Sequence, residues 1–145
     1  MNETKCYKTS RKHTIITVLG ITALAFLMLV SIAGATQSTN FWFHKGRELM
    51  SSEKYNEAIK AYDKAIKINP HDSSSWYNKG NSLFNLNKYD DAIEAYNKAI
   101  EINPQNLYAW ENKGFALSYL NKPYEAREAY NRAIEINPQI RSWEQ

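Results

Sequence analysis

Trp42, Trp76 and Trp110 are 34 residues apart, and Pro70, Pro104 and Pro138 keep the same step. So do Gly46, Gly80 and Gly114; Ala58, Ala92 and Ala126; Tyr62, Tyr96 and Tyr130; and Ala65, Ala99 and Ala133. A fixed period of this length means stacked supersecondary units, and it restricts the architecture before composition is considered. None of the recurring residue types is an obvious catalytic group, so the repetition has to be explained by packing.

Within one period the spacing is helical twice. Trp76, Gly80 and Leu83 fall at i, i+4 and i+7 on one helix, and Ala92, Tyr96 and Ala99 repeat that spacing on a second. Leu86-Asn87-Lys88 is a short connection, which makes the two helices antiparallel. Asp90 and Asp91 stand in the first turn of the second helix, where acids suit the helix dipole. Pro104 ends the unit, because proline disfavours helix in the residue before it and has no amide to donate. Gly80 and Ala92 leave room for the helices to approach, and Trp76 and Tyr96 fill the space around the contact. One helix pair cannot bury both its faces, so its neighbour has to cover it.

Three in-phase copies of this pattern resemble the tetratricopeptide repeat (TPR), written W-x2-L-G-x2-Y, then A-x3-F, then P. Here the string reads Trp42-x2-Lys45-Gly46-x2-Leu49, then Ala58-x3-Tyr62, then Pro70, and likewise in the next two copies. Lys45, Lys79 and Lys113 replace the leucine and are expected to lay their stems along the helix pair with the ammonium in water. Leu49, Leu83 and Leu117 replace the tyrosine. Pro123 stands where the earlier copies have Tyr55 and Tyr89; it fits a first helical turn, and Tyr124 is the candidate replacement ring. The resemblance implies an all-α fold, three tandem helix-turn-helix repeats in a short right-handed solenoid. The repeats are expected at 39–72, 73–106 and 107–140, with a truncated cap at 141–145.

The front of the chain differs. A basic tail, 1–13, carries Lys5, Lys8, Arg11 and Lys12 against Glu3, and an uncharged apolar run follows, Ile15 to Ala35, 21 residues long. That length spans a bilayer core, and a helix apolar all round has no place in a TPR stack. We therefore expect a transmembrane or signal-anchor helix over 14–35 and a linker over 36–38. The basic flank puts the N-terminus in the cytoplasm and the repeats outside, at the cell membrane. Ala33-Gly34-Ala35 also suits a signal cleavage site. The length of the run favours an uncleaved anchor; the alternative is a protein secreted after cleavage near Ala35.

The formal net charge of +3 resides in the tail, since the remainder carries 14 residues of each sign. Acids and bases alternate on the helices as solvated faces do, and no basic stripe of a nucleic-acid binder is present. Cys6 is the sole cysteine, so no intramolecular disulfide forms. His44 and His71 lack a metal-ligand or nucleophile pattern, and no glycine-rich phosphate loop or HExxH occurs. No enzyme, cofactor or metal is expected.

Binding is the stronger reading. The resemblance implies that the first helix of each pair lines a concave groove. The groove positions are Phe43, His44, Arg47 and Met50 in repeat one. They are Tyr77, Asn78, Asn81, Phe84 and Asn85 in repeat two, and Tyr108, Glu111, Asn112, Phe115, Ser118 and Tyr119 in repeat three. An asparagine amide both donates and accepts, and rings give contact area at low entropy cost, so this mixture suits a protein or extended peptide ligand. Asn78 and Asn112 also fit plain exposed positions, and Phe84, Phe115 and Tyr119 also fit packing between repeats. Trp42, Trp76 and Trp110 are read as core. Chaperone-binding members of the family clamp a terminal carboxylate with lysine, asparagine and arginine. At the corresponding places only Asn78 is matched, with Phe43 and Arg47 in repeat one and Tyr108 and Asn112 in repeat three, so no such clamp is expected. An alternative use is structural self-assembly into a homo-oligomer, through Tyr130 and Ile134 on the last helix. That face is left uncovered if the chain stops a fourth repeat at Trp143.

Overall fold

The second and third periods each begin where a tryptophan reaches back over a proline. The Trp76 indole N–H donates to the Pro70 carbonyl and the Trp110 indole to the Pro104 carbonyl, both at 3.0 Å. This bond links the end of one helix pair to the start of the next and explains the six-residue offset. The preceding asparagine shapes the corner. Asn69, Asn103 and Asn137 are extended, with φ −130°, −133° and −138°, as a residue before proline must be. Their side-chain oxygens accept from the backbone N–H of His71, Gln105 and Gln139 at 3.2, 3.1 and 3.1 Å, forming Asx turns.

The computed structural model describes residues 37–139, together with Gly34. It contains helix α1 over residues 37–51, α2 Tyr55–Ile68, α3 Ser73–Asn85, α4 Tyr89–Ile102, α5 Leu107–Tyr119 and α6 Pro123–Ile136. Consecutive helices pack on one another from α2 to α6, and α3 also touches α5. The all-α architecture of tandem helix pairs is as the periodicity implies. The expected membrane segment 14–35 lies outside the described residues apart from Gly34, as do the basic tail and residues 140–145 with Trp143. Among the described residues no helix is long and apolar enough to cross a membrane.

The contact inside each pair is a glycine facing a tyrosine. A Cβ on Gly46, Gly80 or Gly114 would stand 2.5 Å from Cε1 of Tyr62, Tyr96 or Tyr130. Only a hydrogen in that position lets the ring lie flat on the first helix. Tyr62 and Tyr96 are fully buried, and the recurring alanines at 58, 92, 65 and 99 are completely shielded. The three tryptophans are half-buried rather than enclosed; the indole edges of Trp76 and Trp110 must reach a carbonyl at a corner, and the Trp42 ring lies under the Lys64 ammonium at 3.8 Å. Trp76 and Trp110 pack where adjacent repeats meet.

The three connections inside the pairs share one geometry. The N–H groups of Lys54, Lys88 and Lys122 return to the carbonyls of Leu49, Leu83 and Leu117 at 2.9, 3.0 and 3.0 Å. The residue before each lysine is left-handed, at φ 58° for Glu53, 59° for Asn87 and 56° for Asn121. This is a Schellman ending. Asparagine tolerates that conformation, whereas glutamate has no local hydrogen bond to offset the strain. Glu53→Gly is therefore expected to stabilise the domain by about 1 kcal/mol in denaturant unfolding. A loss of stability would mean that the Glu53 side chain makes a contact worth more than the strain.

Two local expectations need correction. Tyr124 does not replace the ring absent at Pro123: it is 79% exposed, with Arg127 over its face at 5.8 Å, because position N2 of α6 points away from the groove edge where Tyr89 packs. The Lys79 ammonium is not left in water either. It sits 5.3 Å from the Trp76 ring centre and 2.7 Å from the Asp63 carboxylate of the preceding repeat. Lys113 lies 5.2 Å from the Trp110 ring, and burial holds its ammonium below the usual lysine range.

Candidate binding groove

Three stripes run along the first helices in register: Phe43, Arg47 and Met50 on α1; Tyr77, Asn81 and Phe84 on α3; Glu111, Phe115 and Ser118 on α5. Each set falls at i, i+4 and i+7, which is one helical face. The tyrosines of the second helices reach the floor of this face from below, and the way each hydroxyl is satisfied differs between repeats.

Repeat two is complete. The Tyr96 hydroxyl donates to Asn81 Oδ1 at 2.9 Å, and Asn112 Nδ2 reaches back from repeat three to the same oxygen at 2.9 Å and to the Tyr77 hydroxyl at 3.2 Å. With Oδ1 taken twice, Asn81 offers its Nδ2 donors to the groove, and Asn112 offers its Oδ1 acceptor. The two free groups match the C=O and N–H of a peptide backbone. Met50, Asn81, Phe84, Asn85, Tyr96, Asn112 and Phe115 enclose an open hollow of about 280 Å³ here. Burial and the neighbouring Tyr77 push the Tyr96 hydroxyl above the ordinary tyrosine range, so it remains a donor at physiological pH.

Asn78, expected alongside Asn112, behaves differently. Its amide donates to the Ser74 carbonyl of its own helix at 2.9 Å. The reason lies in repeat one. Where Asn112 meets a tyrosine hydroxyl and an amide oxygen, Asn78 faces the positions of Phe43 and Arg47, and neither side chain accepts a hydrogen bond. Asn85 likewise bonds within its helix, to the Asn81 carbonyl at 2.8 Å, while its side chain still borders the hollow.

The Tyr130 hydroxyl in repeat three pairs with Ser118 at 3.4 Å, and its ring meets Phe115 edge-on at 5.5 Å. Tyr130 is thus turned into its own repeat, and both it and Ile134 are half-buried. The Tyr62 hydroxyl in repeat one is buried with no hydrogen-bond partner among the described residues. Burial pushes its pKa up to about 12, opposed by the nearby Arg47 charge.

Aromatic residues form one edge of the groove. Tyr119 stacks on Tyr89 with ring centres 4.8 Å apart and planes 11° from parallel, and Phe84 meets both edge-on at 5.3 and 5.5 Å. Packing between repeats and display to the groove are therefore combined, since Tyr119 remains exposed. Tyr89, which the sequence reading did not single out, is part of this edge; its hydroxyl donates to Asn87 at 2.8 Å. Phe43 packs on Tyr62 at 6.1 Å with His44 edge-on at 5.6 Å. Tyr108 is exposed at the start of α5 and joins no ring pair among the described residues.

The tetratricopeptide repeat family model matches residues 73–106 and 107–140, and a second TPR repeat model matches 46–87. The chain belongs to the tetratricopeptide repeat family. No curated protein matches it significantly in sequence. Among solved structures, this TPR chain is similar to the first TPR of Spaghetti (RPAP3) bound to the HSP90 peptide SRMEEVD. The identity is 29% and the TM-score 0.69, over 70% of this chain and 81% of the other. It is also similar to the TPR2B domain of yeast Sti1 in complex with pHsp70, at 26% identity and TM-score 0.69 over 72% and 83%. The Arabidopsis OM64 TPR domain shares the fold at 24% identity, with TM-score 0.71 over 72% and 87%. The TPR fold is a protein-interaction scaffold rather than a typical enzyme fold.

Proposed function

We infer that the chain is a TPR adaptor held at a membrane by residues 14–35, which binds an extended segment of another protein in its concave groove. The observation that carries this reading is the fixed donor and acceptor offered by Asn81 and Asn112 at the floor of the hollow. The Phe84, Tyr89 and Tyr119 rings supply apolar contact beside it. The similarity to TPR domains solved with an HSP90 peptide and with pHsp70 supports a peptide ligand. It does not extend to their particular ligands, because repeat one offers Phe43 and Arg47 where a carboxylate clamp requires lysine and asparagine, and repeat three offers Tyr108 and Asn112 where it requires lysine and arginine. The 21-residue apolar run and its basic flank support the anchor, with the repeats on the outer side of the cell membrane.

Crosslinked capture from membranes tests the groove. Full-length protein is expected to retain a partner that Asn81→Ala/Asn112→Ala loses, with both proteins folded by circular dichroism. Removing both amides at the centre of a desolvated patch should weaken binding by about 2 kcal/mol or more. Equal capture by the two proteins rules the groove out as the binding surface.

A further inference from the structure

Two charges in the groove have no ionic partner among the described residues, and they stand at opposite ends. Arg47 lies in the middle of the repeat-one stripe, with its guanidinium 6.0 Å from the Phe43 ring centre and exposed to solvent. Glu111 lies at the top of the repeat-three stripe, half-buried, where its charge is felt by the Tyr130 hydroxyl. The amides of Asn81 and Asn112 lie between them and are neutral. The nearby lysines are already engaged: Lys45 with Glu48 at 3.0 Å, Lys79 with Asp63, and Lys113 over Trp110.

The Tyr62 hydroxyl sharpens the repeat-one end. Tyr96 is satisfied by Asn81 and Tyr130 by Ser118, but the counterparts of those residues beside Tyr62 are Arg47 and Met50. The guanidinium has no acceptor and the Met50 thioether is a weak one that does not bond the hydroxyl here. A buried hydroxyl left without an acceptor is a cost to the fold, and the acceptor it lacks is the kind that Arg47 also attracts. A carboxylate satisfies both, accepting from the guanidinium and from the hydroxyl. Arg47 is long and exposed, and drawing it onto such a group is expected to uncover the hydroxyl.

We propose that the groove selects an extended peptide of split charge, with an acidic side chain held by Arg47 and the Tyr62 hydroxyl and a basic side chain meeting Glu111. Neighbouring helices pack about 8–10 Å apart, so the two charges are separated by roughly 20 Å, or about six residues of extended chain. This rests on the groove being the peptide site and specifies what it reads. It also separates this chain from a receptor for a purely acidic tail, because Glu111 repels negative charge at the far end.

Random twelve-residue peptides displayed on phage and selected on the full-length protein test the proposal. The parent is expected to enrich peptides with an acid and a base about six positions apart. The Arg47→Glu/Glu111→Lys variant is expected to invert the order of the two charges relative to the chain direction. For the best parent-selected peptide, Arg47→Ala is expected to weaken binding about tenfold or more. Tyr62→Phe is expected to weaken it several-fold without lowering Tm, since the hydroxyl has no partner in the free protein. Peptides enriched without a charge pattern, or a pattern unchanged in the double variant, overturn the split-charge reading and leave the groove as the peptide site. Enrichment of no peptide overturns both. Equal affinity in Tyr62→Phe removes the hydroxyl from the site.

Discussion

Tyr96→Ala is expected to lower the unfolding free energy by about 4 kcal/mol, in the middle of the range for removing a buried aromatic ring. Tyr96 is 1% exposed, rests on Gly80, touches the Tyr77 ring at 6.1 Å, and donates to Asn81. The substitution leaves a cavity between α3 and α4 and frees the amide network that joins repeats two and three. In a stack whose units depend on their neighbours, damage to the middle unit exposes both flanking interfaces. A loss of about 4 kcal/mol is a large share of the total for a domain of this size. The equivalent change in repeat one, Tyr62→Ala, is expected to cost less, because Tyr62 has no hydrogen bond to lose and covers a single neighbouring repeat. Denaturant unfolding of full-length proteins by far-ultraviolet circular dichroism measures both. Equal losses at the two positions would show that the network linking repeats two and three contributes nothing to stability.

The fold was legible because its decisive residues are small or cyclic and recur in register. Glycine opposite tyrosine, alanine at the helix contact, and tryptophan six residues after proline each have one geometric use, and periodicity reveals that use without knowledge of a partner. The groove was legible in part. The stripes follow from helical spacing, so Asn81, Phe84 and Phe115 were identifiable together around one hollow, which Asn112 also borders. The hydrogen bonds were not. Asn78 and Asn112 occupy the same place in successive repeats, yet one turns to Ser74 and the other to Tyr77 and Asn81. The difference is set by residues 34 positions earlier in sequence. Repeat one offers a phenylalanine and an arginine where repeat two offers a hydroxyl and an amide oxygen. A single-repeat reading treats the two asparagines alike, whereas comparing each with the repeat before it separates them. The same comparison would have located the unpaired Tyr62 hydroxyl, since Arg47 supplies no acceptor. Tyr89 was missed because it lies on a second helix, off the face the family resemblance points to, and reaches the groove edge through its contacts with Phe84 and Tyr119.

Gly80→Ala gives the sharpest test of why glycine recurs. In an isolated helix the change is favourable by about 1 kcal/mol, because alanine loses less backbone entropy. Here the new methyl would stand 2.5 Å from Cε1 of a ring that is fully enclosed and tied to Asn81. The ring cannot yield without breaking that bond or pushing α4 away. Overpacking costs about 1–3 kcal/mol and loss of the hydrogen bond about 1, so the net expectation is a destabilisation of about 2 kcal/mol. In a Tyr96→Ala background the opposing atoms are gone. The same Gly80→Ala change is then expected to stabilise the protein by about 1 kcal/mol through helix propensity alone. The predicted coupling between the two positions is thus about 3 kcal/mol, within the range for residues in direct contact, and the single substitution changes sign with its background. A destabilisation of the same size in both backgrounds would mean that glycine is needed for the backbone of α3 itself and that the tyrosine is incidental.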